Sequence, residues 1–195
     1  MERIALQNGD GLLVVDVQYD FLPGGALGVT QGDEVIPPLN RCLTLFSRKG
    51  LPIFVSRDWH PPDHCSFHEQ GGPWPVHCVQ NTHGAAFSPD LKLPPEAEIV
   101  NKADARDHEA YSVFSGTDLD GRLKRMRVRR IFIGGLATDY CVLHTAIDAH
   151  ALGYEYFVLT DAVRAVDVKP GDGDRALAEM ERLGAHLISS GALVP

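Results

Sequence analysis

Long apolar runs and excess positive charge are both missing from the sequence, which argues against a membrane or a nucleic acid as the partner. The 195 residues carry 18 Lys and Arg against 26 Asp and Glu, a formal net charge of −8. Phosphate backbones and anionic lipid surfaces repel such a chain. No stretch reaches the roughly 20 apolar residues that a membrane helix requires. We therefore expect neither a nucleic-acid nor a membrane partner.

Cysteine is also scarce, and its placement excludes a disulfide framework. The four cysteines, Cys42, Cys65, Cys78 and Cys141, are scattered without CxxC spacing. The first residues contain no apolar stretch of the kind found in a signal peptide. Reduced thiols are typical of cytosolic proteins, so we expect a cytoplasmic chain.

What is present is the composition of one soluble globular domain. Hydrophobic residues make up 44% of the chain and charged residues 23%, both ordinary values. No internal repeat, low-complexity tract or linker-like shift in composition divides the chain. We therefore treat residues 1–195 as a single domain.

Strand-like and helix-like segments alternate along the chain. Apolar runs typical of buried strands cover residues 11–17, 51–57, 98–102, 130–134, 156–160 and 186–189. Helical spacing covers residues 33–49, 119–127, 139–152 and 173–183. The alternation predicts an α/β fold of three layers, α/β/α, around a mostly parallel sheet of about six strands. A long irregular segment, 58–95, interrupts it, and such segments are often functional.

Polar residues follow the carboxyl ends of several predicted strands. They are Asp16, Asp58, Lys102 and the 137–141 turn. In parallel sheets these ends share one edge, where the site of an α/β protein lies. Asp16 interrupts an apolar run and needs a compensating cation when buried, which Lys102 could supply. The sequence thus predicts a site of Asp16, Lys102 and Cys141.

Cys141 is the candidate nucleophile. The segment 131–141 is typical of a buried strand, a tight turn and the first turn of a helix. Free N–H groups and the positive dipole end at a helix start stabilise a thiolate and can also bind an oxyanion. We therefore expect Cys141 to act as the nucleophile, and Lys102 could help to hold it as a thiolate.

A second cluster has the residue types of a metal site. Five of the nine histidines lie between positions 60 and 83. Asp58 and His60 are two apart and can point the same way in an extended chain, and His77 completes two histidines and one carboxylate. This donor set suits a divalent transition metal with open coordination positions. His64, Ser66 and Glu69 lie nearby and could be further ligands or side chains that support the ligands.

Two other readings of these residues are open at this point. Two histidines with one carboxylate also occur in non-haem iron oxygenases, although Asp16, Lys102 and Cys141 would then have no purpose. A zinc-binding partner protein without activity is the non-enzymatic alternative. Aromatic residues near the strand ends, Phe21, Trp74 and Tyr111, add a candidate pocket for a flat ring.

Six motifs, in this order, resemble one known family. They are DVQYDF at 16–21, RDWHP at 57–61, WPVHCVQ at 74–80, Lys102, YSVF at 111–114 and GLATDYC at 135–141. With them the chain resembles the isochorismatase-like cysteine hydrolases, and among these the nicotinamidases, also called pyrazinamidases. The resemblance runs from about residue 11 to 189.

The resemblance implies catalytic roles for the first cluster. Asp16 is implied as general base, Lys102 as stabilising cation and Cys141 as nucleophile. A cis peptide between Leu136 and Ala137 is implied, with the amides of Ala137 and Cys141 forming the oxyanion hole. The implied reaction is hydrolysis of nicotinamide to nicotinate and ammonia through a cysteine thioester.

The resemblance also implies a cofactor and a substrate pocket. Asp58, His60 and His77 would hold one divalent metal, with zinc favoured and iron or manganese as alternatives. Implied substrate contacts are Phe21, Trp74, Tyr111 and Leu136. The partner is a small-molecule amide, and a homo-oligomer is left open.

Two segments, 81–84 and 103–105, depart from the pattern of the family. The coordination number and the substrate therefore stay open. The alternative substrate is a carbamoyl or ureido compound, hydrolysed by a related amidohydrolase.

Overall fold

The computed structural model describes residues 3–195, which form eight strands and four α-helices. The strands are β1 Ile4–Ala5, β2 Asp10–Val15, β3 Ile53–Asp58, β4 Glu98–Lys102, β5 Arg130–Leu136, β6 Glu155–Arg164, β7 His186–Ile188 and β8 Leu193–Val194. The helices are α1 Ile36–Arg48, α2 Leu119–Arg125, α3 Leu143–Ala151 and α4 Asp172–Arg182. In this part of the chain, no helix has both the length and the apolar character to span a bilayer.

Six of the described strands form one parallel sheet in the order β4-β3-β2-β5-β6-β7. This confirms the predicted α/β fold and its sheet. The remaining two strands, β1 and β8, pair in parallel as a separate small sheet. Each has only two residues, too few for a period-two pattern to be recognised in the sequence.

Helices cover both faces of the sheet, and β2 shows why its sequence is a continuous apolar run. Leu12 and Val14 belong to the core on the α1 face, together with Leu39 and Phe46. Leu13 and Val15 belong to the core on the opposite face, under α2, α3 and α4. Because successive side chains point to opposite faces, every position of β2 is buried.

The start of α1 differs from its prediction. Helical spacing began at residue 33, but the chain first forms a 3-10 turn, Gly32–Val35, and α1 begins at Ile36. Pro37 and Pro38 lie in the first turn of α1, where a missing N–H costs no helical hydrogen bond.

The strand order shows at which point of the sheet a site is expected. The chain moves outward from β2 to β3 and β4, then returns to the other side of β2 as β5. A crevice therefore opens between the carboxyl ends of β2 and β5, at the topological switch point of the sheet. Asp16 follows β2 and Ala137 follows β5, so both flank this crevice. The long segment between β3 and β4 is irregular, as predicted, with a 3-10 turn at His68–Gln70.

Candidate active site

Asp16 is held in a fixed orientation where the chain leaves β2. Its backbone has a φ of +48°, and its side chain is fully buried. The Ser56 hydroxyl donates a hydrogen bond to Asp16 Oδ1 at 2.7 Å. The other oxygen, Oδ2, lies 3.0 Å from Lys102 Nζ. Burial raises the pKa of the Asp16 carboxyl, while Lys102 opposes that rise.

Lys102 ends β4 and is the centre of the buried charge cluster. Its Nζ lies 2.5 Å from Asp58 Oδ1 and 3.4 Å from Cys141 Sγ, and it donates to the Ala110 carbonyl at 3.0 Å. Burial disfavours the ammonium, but Asp16 and Asp58 outweigh it and hold the pKa of Lys102 well above its ordinary value. The structure thus brings Asp16, Lys102 and Cys141 together as the sequence predicted.

Cys141 lies in a π-helical turn, Thr138–Val142, that precedes α3. The predicted helix 139–152 is therefore split, and the peptide bond between Leu136 and Ala137 is cis. Burial raises the pKa of the Cys141 thiol well above its ordinary value; Lys102 opposes this rise, and the carboxylates of Asp16 and Asp58 add to it. This direction favours the thiol form at rest, so the proton must move to a base before the sulfur attacks.

Asp58, His60 and His77 form the metal-type cluster that the sequence predicted. One ligand atom from each lies within 4.8 Å of the others, and all three are buried. Burial opposes ionisation of Asp58, but Lys102 and then His60 hold the pKa of its carboxyl below the ordinary value. Burial lowers the pKa of His77, so its imidazole is neutral near pH 7. An ionised carboxylate beside a neutral imidazole is the protonation state that metal binding requires.

Backbone carbonyls orient both imidazoles of the cluster. His60 Nδ1 lies 3.2 Å from the Ala103 carbonyl, and His77 Nδ1 lies 2.8 Å from the Pro75 carbonyl. Each Nδ1 therefore carries the proton, which leaves Nε2 as a lone-pair donor. His60 Nε2 is buried and has no hydrogen-bond partner among residues 3–195. An orphaned buried donor atom beside a carboxylate fits a divalent transition metal.

His64 and Glu69 contribute no ligand atom to this cluster, so for them the reading as further ligands is wrong, and the supporting role stays a prediction. The His64 ring stacks on His60 at 4.2 Å between centroids, but both of its nitrogens are engaged. Nδ1 contacts Ser66 Oγ at 2.8 Å, and Nε2 contacts the His108 carbonyl at 3.0 Å. Glu69 is exposed in the 3-10 turn. These residues were predicted because they lie close to the ligands along the chain. In the fold, hydrogen bonds occupy His64 and Ser66, and Glu69 faces the solvent.

A pocket opens onto both clusters. Its lining comprises Phe21, Leu27, Asp58, His60, Trp74, His77, Glu109, Tyr111, Ala137, Tyr140, Cys141 and Val166. The three predicted aromatic residues line it, and Trp74 Nε1 donates to Tyr111 Oη at 3.0 Å. Leu136, predicted as a substrate contact, is absent from this lining, because it is the last residue of β5 and its side chain is fully buried in the core.

Four lining residues were missed by the sequence reasoning. Tyr140 lies inside the GLATDYC motif, so its position beside the nucleophile was a usable signal. Leu27, Glu109 and Val166 belong to loops that are distant in sequence, and no local pattern marks them. Tyr140 packs edge-on against Trp74, with 5.0 Å between ring centroids. The pocket is therefore narrow, flat-sided and aromatic.

This fold and site define a family. The chain belongs to the isochorismatase family, whose isochorismatase domain matches residues 10–192. A nicotinamidase of Escherichia coli is 38% identical over 90% of this chain and 92% of its own length. A pyrazinamidase of Pyrococcus horikoshii, solved in complex with zinc, is 50% identical with a TM-score of 0.89, over 93% of this chain and 99% of its own. PnC1 of L. infantum, solved with nicotinate, is 33% identical with a TM-score of 0.87, over 98% of each chain.

Proposed function

We propose that the chain is a nicotinamidase, which hydrolyses nicotinamide to nicotinate and ammonia. The observation that carries the proposal is one pocket lined by a buried cysteine, by the Asp58–His60–His77 cluster and by aromatic rings. A flat heteroaromatic amide presents matching groups: a carbonyl carbon for the thiol, a ring nitrogen for a metal and a π-face for the aromatic walls. The relatives named above act on or bind such compounds.

The donor set of Asp58, His60 and His77 fits zinc, with iron or manganese as alternatives. When bound, the metal supplies a Lewis-acid contact that orients the substrate through its ring nitrogen. Phe21, Trp74 and Tyr111 contact the ring. The hydrogen bond from Trp74 to Tyr111 fixes the positions of these two side chains relative to each other. Orientation of this kind places the carboxamide carbon near Cys141 Sγ.

Acylation begins with transfer of the Cys141 proton to Asp16. The raised pKa of the Asp16 carboxyl makes it a competent proton acceptor for a buried thiol. The S–C bond forms, and the amides of Ala137 and Cys141 stabilise the oxyanion; loss of one such donor typically costs ~10²–10³ in rate. Asp16 then protonates the amide nitrogen, the C–N bond breaks and ammonia leaves.

Deacylation reverses the proton path. Asp16 accepts a proton from the attacking water, the C–O bond forms and the thioester C–S bond breaks. The proton returns to the sulfur, which regenerates the thiol, and the nicotinic acid formed loses its own proton to the released ammonia, so nicotinate results. Lys102 remains protonated throughout, because its contacts with Asp16 and Asp58 balance the negative charge that moves between oxygen and sulfur.

The alternative substrate, a carbamoyl or ureido compound, is not favoured. Such compounds have neither a ring nitrogen for the metal cluster nor a π-face for the aromatic walls. An iron oxygenase would leave Lys102 and Cys141 without a purpose, although Lys102 Nζ lies 3.4 Å from Cys141 Sγ.

Ammonia release from nicotinamide by the purified chain tests the proposal. Cys141→Ala should abolish release and leave the fold intact. Cys65→Ala, at a partly exposed thiol outside the pocket, is the matched control and should retain full activity. Release that persists in Cys141→Ala refutes the thioester route. Release from an N-carbamoyl amino acid but not from nicotinamide would transfer the proposal to the alternative substrate.

We also propose a cytoplasmic location and a single domain over residues 1–195. All four cysteines are free in the structure, as expected for a reducing compartment. Cell fractionation tests the location, and light scattering on the purified chain decides between monomer and homo-oligomer.

A further inference from the structure

The turn that follows β2 contacts both chain segments that supply the proposed metal ligands. We infer that Gln18 and Asp20 are positioning residues that fix the backbones beside Asp58 and His77 and so set the geometry of the metal cluster. This inference deepens the proposed function, because it concerns the same cluster. Neither residue lines the pocket, and neither contributes a ligand atom to the cluster.

Gln18 acts on the Asp58 segment through its side-chain amide. Its Oε1 accepts a hydrogen bond from the Asp58 backbone N–H at 2.8 Å, and its Nε2 donates to the Asp58 carbonyl at 2.8 Å. Nε2 also donates to the Ala85 carbonyl at 3.0 Å. The side chain is fully buried, so water cannot replace these bonds. Gln18 thus clamps both backbone groups of a proposed ligand.

Asp20 acts on the His77 segment. Its Oδ2 accepts a hydrogen bond from the Cys78 backbone N–H at 2.7 Å, directly after His77. Cys78 has a φ of +47°, a left-handed conformation that a non-glycine residue adopts only when its surroundings hold it. The charge-assisted bond from Asp20 supplies such a hold.

Gly84 shows how closely this contact is packed. A Cβ at position 84 would lie 2.0 Å from Asp20 Oδ2, and the Asp20 N–H donates to the Gly84 carbonyl at 3.1 Å. Substitution of Gly84 therefore moves Asp20 without changing either ligand or Gln18. Position 84 offers an independent way to disturb the same support.

The cluster needs such support because its ligands come from different segments. Metal sites require ligand positions accurate to about 0.5 Å, which residues behind the ligands must provide. Removing such a partner typically lowers metal affinity ~10–100-fold. The same turn follows Asp16, so one short segment positions the general base and the metal cluster together.

The zinc dissociation constant, measured on the full chain without substrate by competition with a chromophoric chelator, tests the inference. Gln18→Met and Asp20→Ala should each raise this constant ~10–100-fold. Asp20→Asn, which retains an oxygen acceptor for the Cys78 N–H, should recover most of the affinity. Circular dichroism on the same samples measures the folded fraction, so the constant refers to folded protein.

The matched control is Asn40→Leu. The Asn40 amide also clamps a loop, because it donates to the Asp90 carbonyl at 2.9 Å and accepts from the Lys92 N–H at 2.8 Å, but it lies outside the pocket. Its zinc dissociation constant should stay within about threefold of wild type. An equal loss of affinity in Asn40→Leu would make the effect one of general stability and overturn the inference.

The outcomes separate this inference from the proposed function. Wild type that fails to bind zinc, iron or manganese contradicts the metal cluster itself. Wild type that binds zinc, with Gln18→Met and Asp20→Ala unchanged, overturns only the positioning roles. Should Gln18→Met fail to fold, Gly84→Ala decides, because its Cβ displaces the Asp20 carboxylate while every ligand, Gln18 and Asp20 keep their side chains; unchanged zinc affinity in that variant also overturns the inference.

Discussion

Replacement of Lys102 by Met tests the buried charge cluster most directly. The change keeps the length of the side chain but removes the cation that lies 3.0 Å from Asp16 and 2.5 Å from Asp58. Both carboxylates are then buried without a counter-charge. We expect loss of catalysis, because the developing thiolate also loses its neighbour, and a large loss of stability.

The size of the loss follows from the contact distances. At an effective dielectric constant of about 20, one ion pair at 3 Å is worth about 5.5 kcal/mol in Coulomb energy. Desolvation offsets much of this, and breaking a buried pair by removing one partner costs about 3–5 kcal/mol in measured cases. We therefore expect Lys102→Met to lower the free energy of unfolding by about 3–5 kcal/mol at pH 7. For a chain of this size, that lowers Tm by roughly 6–20 °C.

The loss should depend on pH with a defined sign. In wild type, Lys102 holds the pKa of Asp58 below its ordinary value, against the effect of burial. This contact therefore stabilises the fold above the unfolded carboxyl pKa, about 3.9, and its contribution is lost as the pH falls through the folded value. In Lys102→Met, burial raises the pKa values of the Asp16 and Asp58 carboxyls. Protonation of these groups at lower pH then removes the repulsion between them. The difference between the two proteins should be largest at pH 6–8 and shrink toward pH 4.

Urea unfolding followed by circular dichroism, with a chelator present to exclude metal stabilisation, measures the effect. Lys49→Met is the control: Lys49 is exposed, its Nζ donates to the Leu6 carbonyl at 2.8 Å, and the change should cost under about 0.5 kcal/mol. A loss below about 1 kcal/mol in Lys102→Met, or one that is independent of pH, would refute the reasoning.

Three further predictions concern the backbone, the pocket and the metal. Gly135→Ala should destabilise the fold by about 3 kcal/mol or more, since its Cβ would lie 2.0 Å from the Val15 carbonyl oxygen. Gly153→Ala, also at positive φ but in open space, should cost about 1 kcal/mol; equal losses by urea titration would contradict the steric argument. Trp74→Phe removes the hydrogen bond to Tyr111 and should raise KM several-fold with little change in kcat, and steady-state kinetics that show the reverse would disprove an orienting role. Dialysis against a chelator should lower ammonia release, and added zinc should restore it; activity that survives in metal-free protein counts against the metal.

The parts predicted from the sequence are those that local patterns encode. Continuous apolar runs mark strands that are covered on both faces, so six sheet strands were located, and Asp16 was recognised as a charge inside such a run. Asp58 and His60 are two residues apart on an extended chain, a spacing that alone puts both on one side. The carboxyl-edge rule then predicted that these groups meet at the crevice.

The sequence does not predict features that depend on contacts between segments distant in the chain. The place of Cys141 at a helix start favours a thiolate, whereas burial raises the pKa of the thiol, and only the fold shows this burial. His64 has the residue type and loop position of a ligand, yet the His108 carbonyl engages its Nε2. Leu136 follows from the motif as a pocket residue, but the core covers it.

The sequence alone determined the order of strands and helices and the residue types at the strand ends, because these depend on neighbours along the chain. Only the tertiary structure decided which groups carry a proton, which side chains share the metal-type cluster and which residues line the pocket. These depend on Coulomb energies and hydrogen bonds, which act over a few ångströms between residues that are far apart in sequence. The bonds of Gln18 and Asp20 to the backbones beside Asp58 and His77 belong to this second group.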